Sequence, residues 1–127
     1  MRTSQLYDAD YYPAAPALTV GIGSPKGKVA RSEVTALVDT GADVTMIPLS
    51  ILRSSGGRIQ EKRRLRGILG ESVIVNRYLI TVFVAGYAIR GIRAVALEDN
   101  YDSILGRDVL NQLELTLNGP AQETWVA

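Results

Sequence analysis

Short strand-like runs recur about every ten residues from Leu18 onward, and this spacing constrains the fold more than any other feature. Runs at 18–22 and 34–38 flank a turn signal at 23–27 and predict a hairpin. Two further hairpins are predicted to turn at 67–70 and 85–86, because their arms are rich in Val, Ile, Tyr and Thr. A short turn is predicted at 48–52, and only 107–113 has apolar residues at helical spacing. We therefore predict an all-β fold with one short C-terminal helix.

The length of 127 residues leaves room for one ordinary domain. We assign 1–17 to an extended N-terminal arm, 18–118 to the domain and 119–127 to a C-terminal extension. The pair Trp125 and Val126 is apolar enough to pair or dock, with a frayed tail as the alternative. No apolar run is long enough for a membrane span, and the start lacks the apolar segment of a signal peptide. We expect no membrane partner and a cytoplasmic location.

The chain contains no cysteine and no histidine. This excludes disulfides, thiolate nucleophiles, Ser-His catalysis and metal sites built from cysteine or imidazole. Any hydrolysis has to use carboxylates, Lys, Tyr or hydroxyl groups, and we expect neither a metal nor another cofactor.

A net charge of +1 gives no overall field that would attract nucleic acid. One basic cluster lacks interleaved aromatic residues, so we expect a solvated face and no nucleic-acid partner, with attraction of an acidic substrate or a nucleoprotein as the alternative. This cluster comprises Arg53, Arg58, Lys62, Arg63, Arg64 and Arg66.

The tripeptide Asp39-Thr40-Gly41 carries the chemical signal. Apolar residues 36–38 bring the carboxylate to the end of a buried strand, and the turn that follows can surround it with amides and a hydroxyl group. An isolated tripeptide of this kind is more often an ordinary Asx-type turn.

A second motif, Ile104-Leu105-Gly106-Arg107, changes that interpretation. The order of a strand, residues 39–43, a glycine-bearing hairpin at 67–70, residues 104–107, one helix and a final strand at 115–118 resembles the retroviral-type aspartic proteases, or retropepsins. The resemblance covers 18–118. It implies a closed-barrel-like acid protease monomer with a hairpin flap.

The chemistry of such proteases needs two carboxylates that share one proton, because two like charges so close together cannot both ionise. The chain has a single Asp-Thr-Gly, so it carries half a site. The resemblance implies a homodimer with Asp39 of each copy at the symmetry axis, acting as an aspartic endopeptidase on polypeptide. A second carboxylate within the chain, first Asp102 or Asp108, is the alternative if a monomer is active.

The resemblance also assigns roles to the residues around Asp39. Thr40 would form hydrogen bonds across the axis and Gly41 would present its carbonyl group to the substrate, which Ala42 and Asp43 would also contact. Asp43 would pair with Arg107 in a partly buried, bidentate and structural ion pair beside Gly106.

Further substrate contacts are expected from the flap, with a plain hairpin turn as the alternative, and from mostly apolar pocket residues, with a place in the core as the alternative for each. Asp102 replaces the usual apolar pocket residue, and it either selects basic side chains or points to solvent. The expected contacts are Val44, Met46, Gly67, Ile68, Leu69, Gly70, Tyr101 and Ile104.

Three alternatives remain open from the sequence. Retropepsin dimers are commonly closed by interleaved terminal strands. The terminal segments 1–17 and 119–127 differ from that pattern, so one alternative is a dimer interface whose edge is built differently. The rival function is a catalytically incompetent dimerisation or peptide-binding module. The third is a domain of a larger protein, such as a retroelement polyprotein or a ubiquitin-linked shuttle factor.

Overall fold

The structure is a computed structural model that describes residues 2–66 and 70–127. Strands dominate the described residues, the longest of 13 residues, and two short helices lie between them. The strands are β1 (Thr3–Leu6), β2 (Ala17–Gly23), β3 (Val29–Val38), β4 (Met46–Pro48), β5 (Arg58–Arg66), β6 (Ser72–Val84), β7 (Tyr87–Leu97), β8 (Ser103–Leu105), β9 (Leu115–Asn118) and β10 (Glu123–Val126). The helices are α1 (Leu49–Ser54) and α2 (Arg107–Leu110).

Six strands form a closed barrel in the order β2, β3, β8, β4, β7 and β6, and β6 pairs with β2 to close the ring. β5 extends the sheet from β6. In β2 the buried residues Leu18, Val20 and Ile22 alternate with less buried ones, which is the pattern of a strand with one face on a core. The barrel interior is apolar, and the predicted all-β, closed-barrel fold is confirmed. Its largest fully buried side chains include Leu18, Ile22, Ile47, Leu52, Ile80 and Leu105.

Two three-residue strands bring distant motifs together. β8 runs parallel to β3, with Val38 opposite Leu105. β4 runs parallel to β7 and meets β8 at the pair Met46 and Ile104. The segment that follows β3 therefore lies against the segment that follows β8.

The predicted hairpins are present. β2 pairs with β3, β5 with β6, and β6 with β7, all antiparallel. The turn at 85–86 uses positive φ angles at Ala85 and Gly86. The predicted turn residues Gly67, Ile68 and Leu69 lie outside the described residues, whereas Gly70 is exposed and has a φ of 84°.

The helices differ from the prediction in two ways. The expected helix at 107–113 ends at Leu110, because the amides of Gln112 and Leu113 turn back to carbonyl groups only three residues earlier. A turn was expected at 48–52, but α1 occupies most of that stretch and buries Leu52. At six residues α1 is too short for a helical period to stand out from the sequence. Neither helix in the described part of the chain is long and apolar enough to cross a membrane.

The two ends of the chain form a separate three-stranded sheet in the order β1, β10, β9. Both pairings are antiparallel, and Trp125 lies opposite Ser4 on one side and Thr116 on the other. Trp125 and Val126 are therefore paired and not frayed. The domain boundaries at 18 and 118 stay a prediction.

Candidate active site

The Asp39 loop, residues 39–43, begins where β3 leaves the barrel. The Asp39 amide donates a hydrogen bond to the Leu105 carbonyl group at 3.1 Å. The Gly41 amide donates to Asp39 Oδ1 at 2.9 Å, and the Ala42 amide donates to the Asp39 carbonyl group at 3.1 Å. These bonds hold the carboxylate in an Asx-type turn, and Asp39 stays partly exposed beside the exposed Thr40 and Gly41. The result is a rigid acidic group that solvent can reach.

Arg107 fastens this loop from the start of α2. Its amide donates to the Ala42 carbonyl group at 2.9 Å, and its Nη1 donates to the Thr40 carbonyl group at 2.7 Å. Its Nη2 pairs with Asp43 Oδ1. The expected ion pair is therefore present, but it is neither bidentate nor well buried: the guanidinium divides its donors, and the Asp43 side chain is 83% exposed. One arginine thus connects the backbone and side chain of the loop.

Gly106 allows the two segments to approach backbone to backbone. A Cβ atom at this position would lie 2.5 Å from the Val44 carbonyl carbon and 2.6 Å from its oxygen. Since backbone atoms cannot move aside as a flexible side chain can, residue 106 has to be glycine for this packing.

A buried hydrogen-bond network behind the loop was not predicted from the sequence. Thr45 is fully buried, and its hydroxyl group donates to Asp108 Oδ1 at 2.7 Å while accepting from the Gly106 amide at 3.1 Å. The Thr45 amide donates to Asp108 Oδ2 at 3.0 Å. Both oxygens of Asp108 are thus engaged, which argues against Asp108 as a second catalytic carboxylate. The sequence feature that could have indicated this network is Thr45, a polar residue between the apolar Val44 and Met46 in a segment that enters the barrel.

The expected pocket residues fall into two groups. Val44, Met46 and Ile104 are half-buried next to the Asp39 loop, and Met46 and Ile104 are partners across β4 and β8. Tyr101 and Asp102 are exposed.

Those two residues border an open groove that Arg31 and Ser50 also line. Asp39, Val44 and Met46 are not among the residues that line this groove.

A family profile and the superposed structures of known proteins agree on one family. The profile described as retroviral aspartyl protease matches residues 13–118. A retropepsin-like aspartic protease from Rickettsia conorii superposes with a TM-score of 0.71 at 15% identity, covering 99% of this chain and 89% of that chain. EIAV protease complexed with the inhibitor HBY-793 superposes with a TM-score of 0.58 at 23% identity, covering 77% of this chain and 86% of that chain.

The retroviral protease-like domain of Ddi1 from Leishmania major gives a TM-score of 0.50 at 18% identity, covering 83% of each chain. No curated protein sequence matches. At these identities the superpositions show the fold, and the profile match over most of the chain shows the family. The chain belongs to the retroviral aspartyl protease family.

Proposed function

We propose that the protein is an aspartic endopeptidase whose active site is assembled from two copies of the chain, each supplying Asp39. The observation that carries this proposal is the Asp39 carboxylate, fixed by the Gly41 amide at 2.9 Å and partly exposed at the end of β3. A single Asp-Thr-Gly supplies one such group per chain. Two carboxylates that meet at a symmetry axis share one proton and provide a base and an acid at the same place.

The proposed reaction is the hydrolysis of a peptide bond. The ionised Asp39 takes a proton from water, whose oxygen attacks the scissile carbonyl carbon, while the protonated Asp39 of the partner subunit donates its proton to the carbonyl oxygen. The C–N bond of this tetrahedral intermediate then breaks as Asp39 passes the proton taken from water to the leaving nitrogen, while the ionised Asp39 of the partner subunit takes the proton of one hydroxyl group of the intermediate, which becomes the carbonyl group of the new carboxyl end. Both products leave, and the pair of carboxylates again holds one proton.

The surrounding loop supports this role by being fixed before substrate arrives. Because Arg107 holds the Thr40 carbonyl group and pairs with Asp43, the exposed Gly41 between them has a defined position. We propose that the Gly41 carbonyl group binds an extended polypeptide, which Ala42 and Asp43 also contact.

Val44, Met46 and Ile104 would supply apolar contacts to the substrate, and the hairpin tip at 67–70 would cover it. Tyr101 is proposed as a further contact, from the groove that it lines together with Asp102.

The proposal is tested by incubating the protein with a diverse peptide library at several pH values and reading cleavage by mass spectrometry. Asp39→Asn should lower the cleavage rate by at least about a thousandfold, because it removes the proton acceptor and donor while keeping the shape of the side chain. Asp10→Asn is the control, since it changes an exposed carboxylate outside the loop to which no role in the site is assigned. Residual activity of Asp39→Asn within tenfold of the parent would overturn the proposal, and binding without cleavage by the parent would favour the peptide-binding module.

A further inference from the structure

One face of the molecule is positively charged. Three segments meet there, at 24–28, 53–60 and 79–93, and their sequences contain six basic residues and no acidic one. The next acidic residue along β5, Glu61, lies opposite the buried Arg77. Since the whole chain has a net charge of only +1, the rest of the chain is net negative. We call this surface the cationic face, and its basic residues are Lys26, Lys28, Arg53, Arg58, Arg90 and Arg93.

Arg58 and Arg93 lie on the same side of the sheet. Arg58 on β5 pairs with Leu79 on β6, and Leu79 pairs with Arg93 on β7. Because cross-strand partners share a face, the two exposed arginines flank the half-buried Leu79 in one row across three strands. Two strand spacings separate their Cα atoms, roughly 10 Å, so the row places two like charges close together.

The loop at 24–28, between β2 and β3, lies on the same side of the sheet. Thr81 follows Leu79 by two residues on β6 and therefore points the same way. Its hydroxyl group donates a hydrogen bond to the Ser24 carbonyl group at 2.9 Å, and Thr81 is fully buried. The loop thus covers this side of β6 next to the row of two arginines.

This loop brings three more basic residues to the cationic face. A Cβ atom at Gly27 would collide with the Arg90 guanidinium group, so Arg90 lies against the loop. Lys26 and Lys28 flank Gly27 in the chain, and both are exposed. The charges of the loop and of β7 therefore lie side by side.

The segment that follows α1 also contacts the loop. A Cβ atom at Gly56 would lie 3.4 Å from the Ser24 Cβ atom, so the stretch from the exposed Arg53 to Arg58 runs beside the loop. None of the six basic side chains forms an ion pair within 2–66 and 70–127. A cluster of unpaired like charges attracts anionic partners.

The chemistry of the cationic face favours an acidic polypeptide over a nucleic acid. Proteins hold single-stranded nucleic acid with aromatic side chains on which the bases stack. Of the aromatic residues in the three segments, Phe83 is half-buried, and the Tyr87 hydroxyl group donates to the Ala127 carbonyl group at 3.0 Å. Arginine and lysine pair directly with carboxylates, so an extended acidic peptide needs no stacking partner.

We propose that the cationic face binds an acidic segment of the polypeptide substrate, away from the bond that is cleaved. The inference rests on the proposed function, because it names the class of polypeptide on which the site acts. β5, Arg58–Arg66, leads from this face to the hairpin tip that is proposed to cover the substrate. It spans roughly 26 Å, so an extended substrate needs at least about eight residues between its acidic segment and the scissile bond.

Binding is measured first with protein that cannot cleave. Asp39→Asn protein is titrated into a fluorescein-labelled peptide of alternating Glu and Ser, with Gln in place of Glu in the matched control peptide, and fluorescence anisotropy gives the dissociation constant. We expect the Glu peptide to bind at least about tenfold more tightly at low salt. Added salt should remove most of this difference, because ions screen exposed charges.

Charge reversal on the two sides of β5 locates the binding face. We expect Arg58→Glu and Arg93→Glu, made singly in the same background, each to weaken binding of the Glu peptide at least about fivefold. Arg64→Glu is the matched control, because Arg64 is exposed on the same strand as Arg58. It pairs with position 74, an odd number of residues from Leu79 along β6, and so lies on the opposite face. Arg64→Glu should leave the dissociation constant within about twofold.

Cleavage by the parent protein tests the spacing. A peptide that the parent cleaves is joined to the Glu and Ser segment through a spacer of about ten or about two residues, and each substrate has a Gln counterpart. With the long spacer, we expect the Glu substrate to have a KM at least about threefold below that of its counterpart, with kcat unchanged. The short spacer should give no such advantage, and Arg58→Glu should abolish it for the long one.

Equal binding of the Glu and Gln peptides, or equal effects of Arg58→Glu and Arg64→Glu, would overturn the inference. Tighter binding of a single-stranded RNA of the same charge than of the Glu peptide would also overturn it and would assign the face to nucleic acid. Cleavage by the parent without binding of the Glu peptide would leave the proposed function standing. Binding of the Glu peptide without cleavage of any peptide by the parent would remove the proposed function and leave the face as a peptide-binding site.

Discussion

The Asp39 loop and the terminal sheet are both assembled from segments far apart in the chain. They differ in how many of their buried polar groups form hydrogen bonds within that chain. Behind the loop, the buried Thr45 hydroxyl group both donates to Asp108 and accepts from Gly106. In the terminal sheet, the buried hydroxyl groups of Thr3 and Thr124 have no hydrogen-bond partner among the described residues. The comparison teaches that the polar groups behind the Asp39 loop are bonded within the single chain, whereas the terminal sheet contains buried hydroxyl groups that make no hydrogen bond among the described residues and is therefore more open to substitution.

The largest difference in stability is expected between alanine substitutions at two glycines, one in each region. Gly106→Ala should lower the free energy of unfolding by about 3 kcal/mol, the upper end of the usual cost of overpacking, because the new Cβ atom meets the Val44 backbone at 2.5 Å. Gly119→Ala, in the turn between β9 and β10, meets nothing within 4 Å and should change stability by less than about 0.5 kcal/mol. Urea denaturation at one fixed protein concentration compares the two. Equal stability of the two variants would show that the tight approach at Gly106 is not real.

A smaller difference is expected between two buried threonines. Thr45→Val leaves an Asp108 oxygen and the Gly106 amide without the hydroxyl group that both bond. It should lower the free energy of unfolding by about 1–3 kcal/mol. Thr124→Val removes a hydroxyl group that has no partner in the described part of the chain, and should leave stability unchanged or higher. The same urea titrations provide the measurement. If Thr124→Val were as unstable as Thr45→Val, the two regions would not differ in how much their buried hydroxyl groups contribute to stability.

The contrast also explains which parts could be predicted from the sequence. Alternating residues such as Leu18, Val20 and Ile22 indicate a strand by themselves, and Asp39 and Gly106 lie in short motifs that can be recognised locally. The Thr45–Asp108 bond and the pairing of β1 with β10 depend on contacts between residues distant in the chain, which no local pattern encodes. The short helix α1 was missed because six residues contain fewer than two helical turns.

The smallest effects are expected at two arginines. Arg107→Lys should change stability by less than about 1 kcal/mol, because its ion pair with Asp43 is exposed to solvent. It should still lower cleavage several-fold, since one ammonium group cannot hold both the Thr40 carbonyl group and Asp43 as the planar guanidinium does. Arg2→Lys, beside Trp125 in the terminal sheet, should alter stability as little and leave cleavage by the dimer unchanged. Thermal unfolding and peptide cleavage assays separate the two, and equal activities would show that the position of the loop does not depend on Arg107.

The central claim is that two Asp39 carboxylates from two chains form one active site, and mixing tests it most directly. Parent protein at a fixed concentration, well above the dimer dissociation constant, is co-refolded with increasing amounts of Asp39→Asn protein, and peptide cleavage is measured after exchange. Mixed dimers hold a single competent carboxylate, so a threefold excess of the variant should leave about a quarter of the parent activity. Undiminished activity after exchange, with mixed dimers shown to be present, would contradict the shared site.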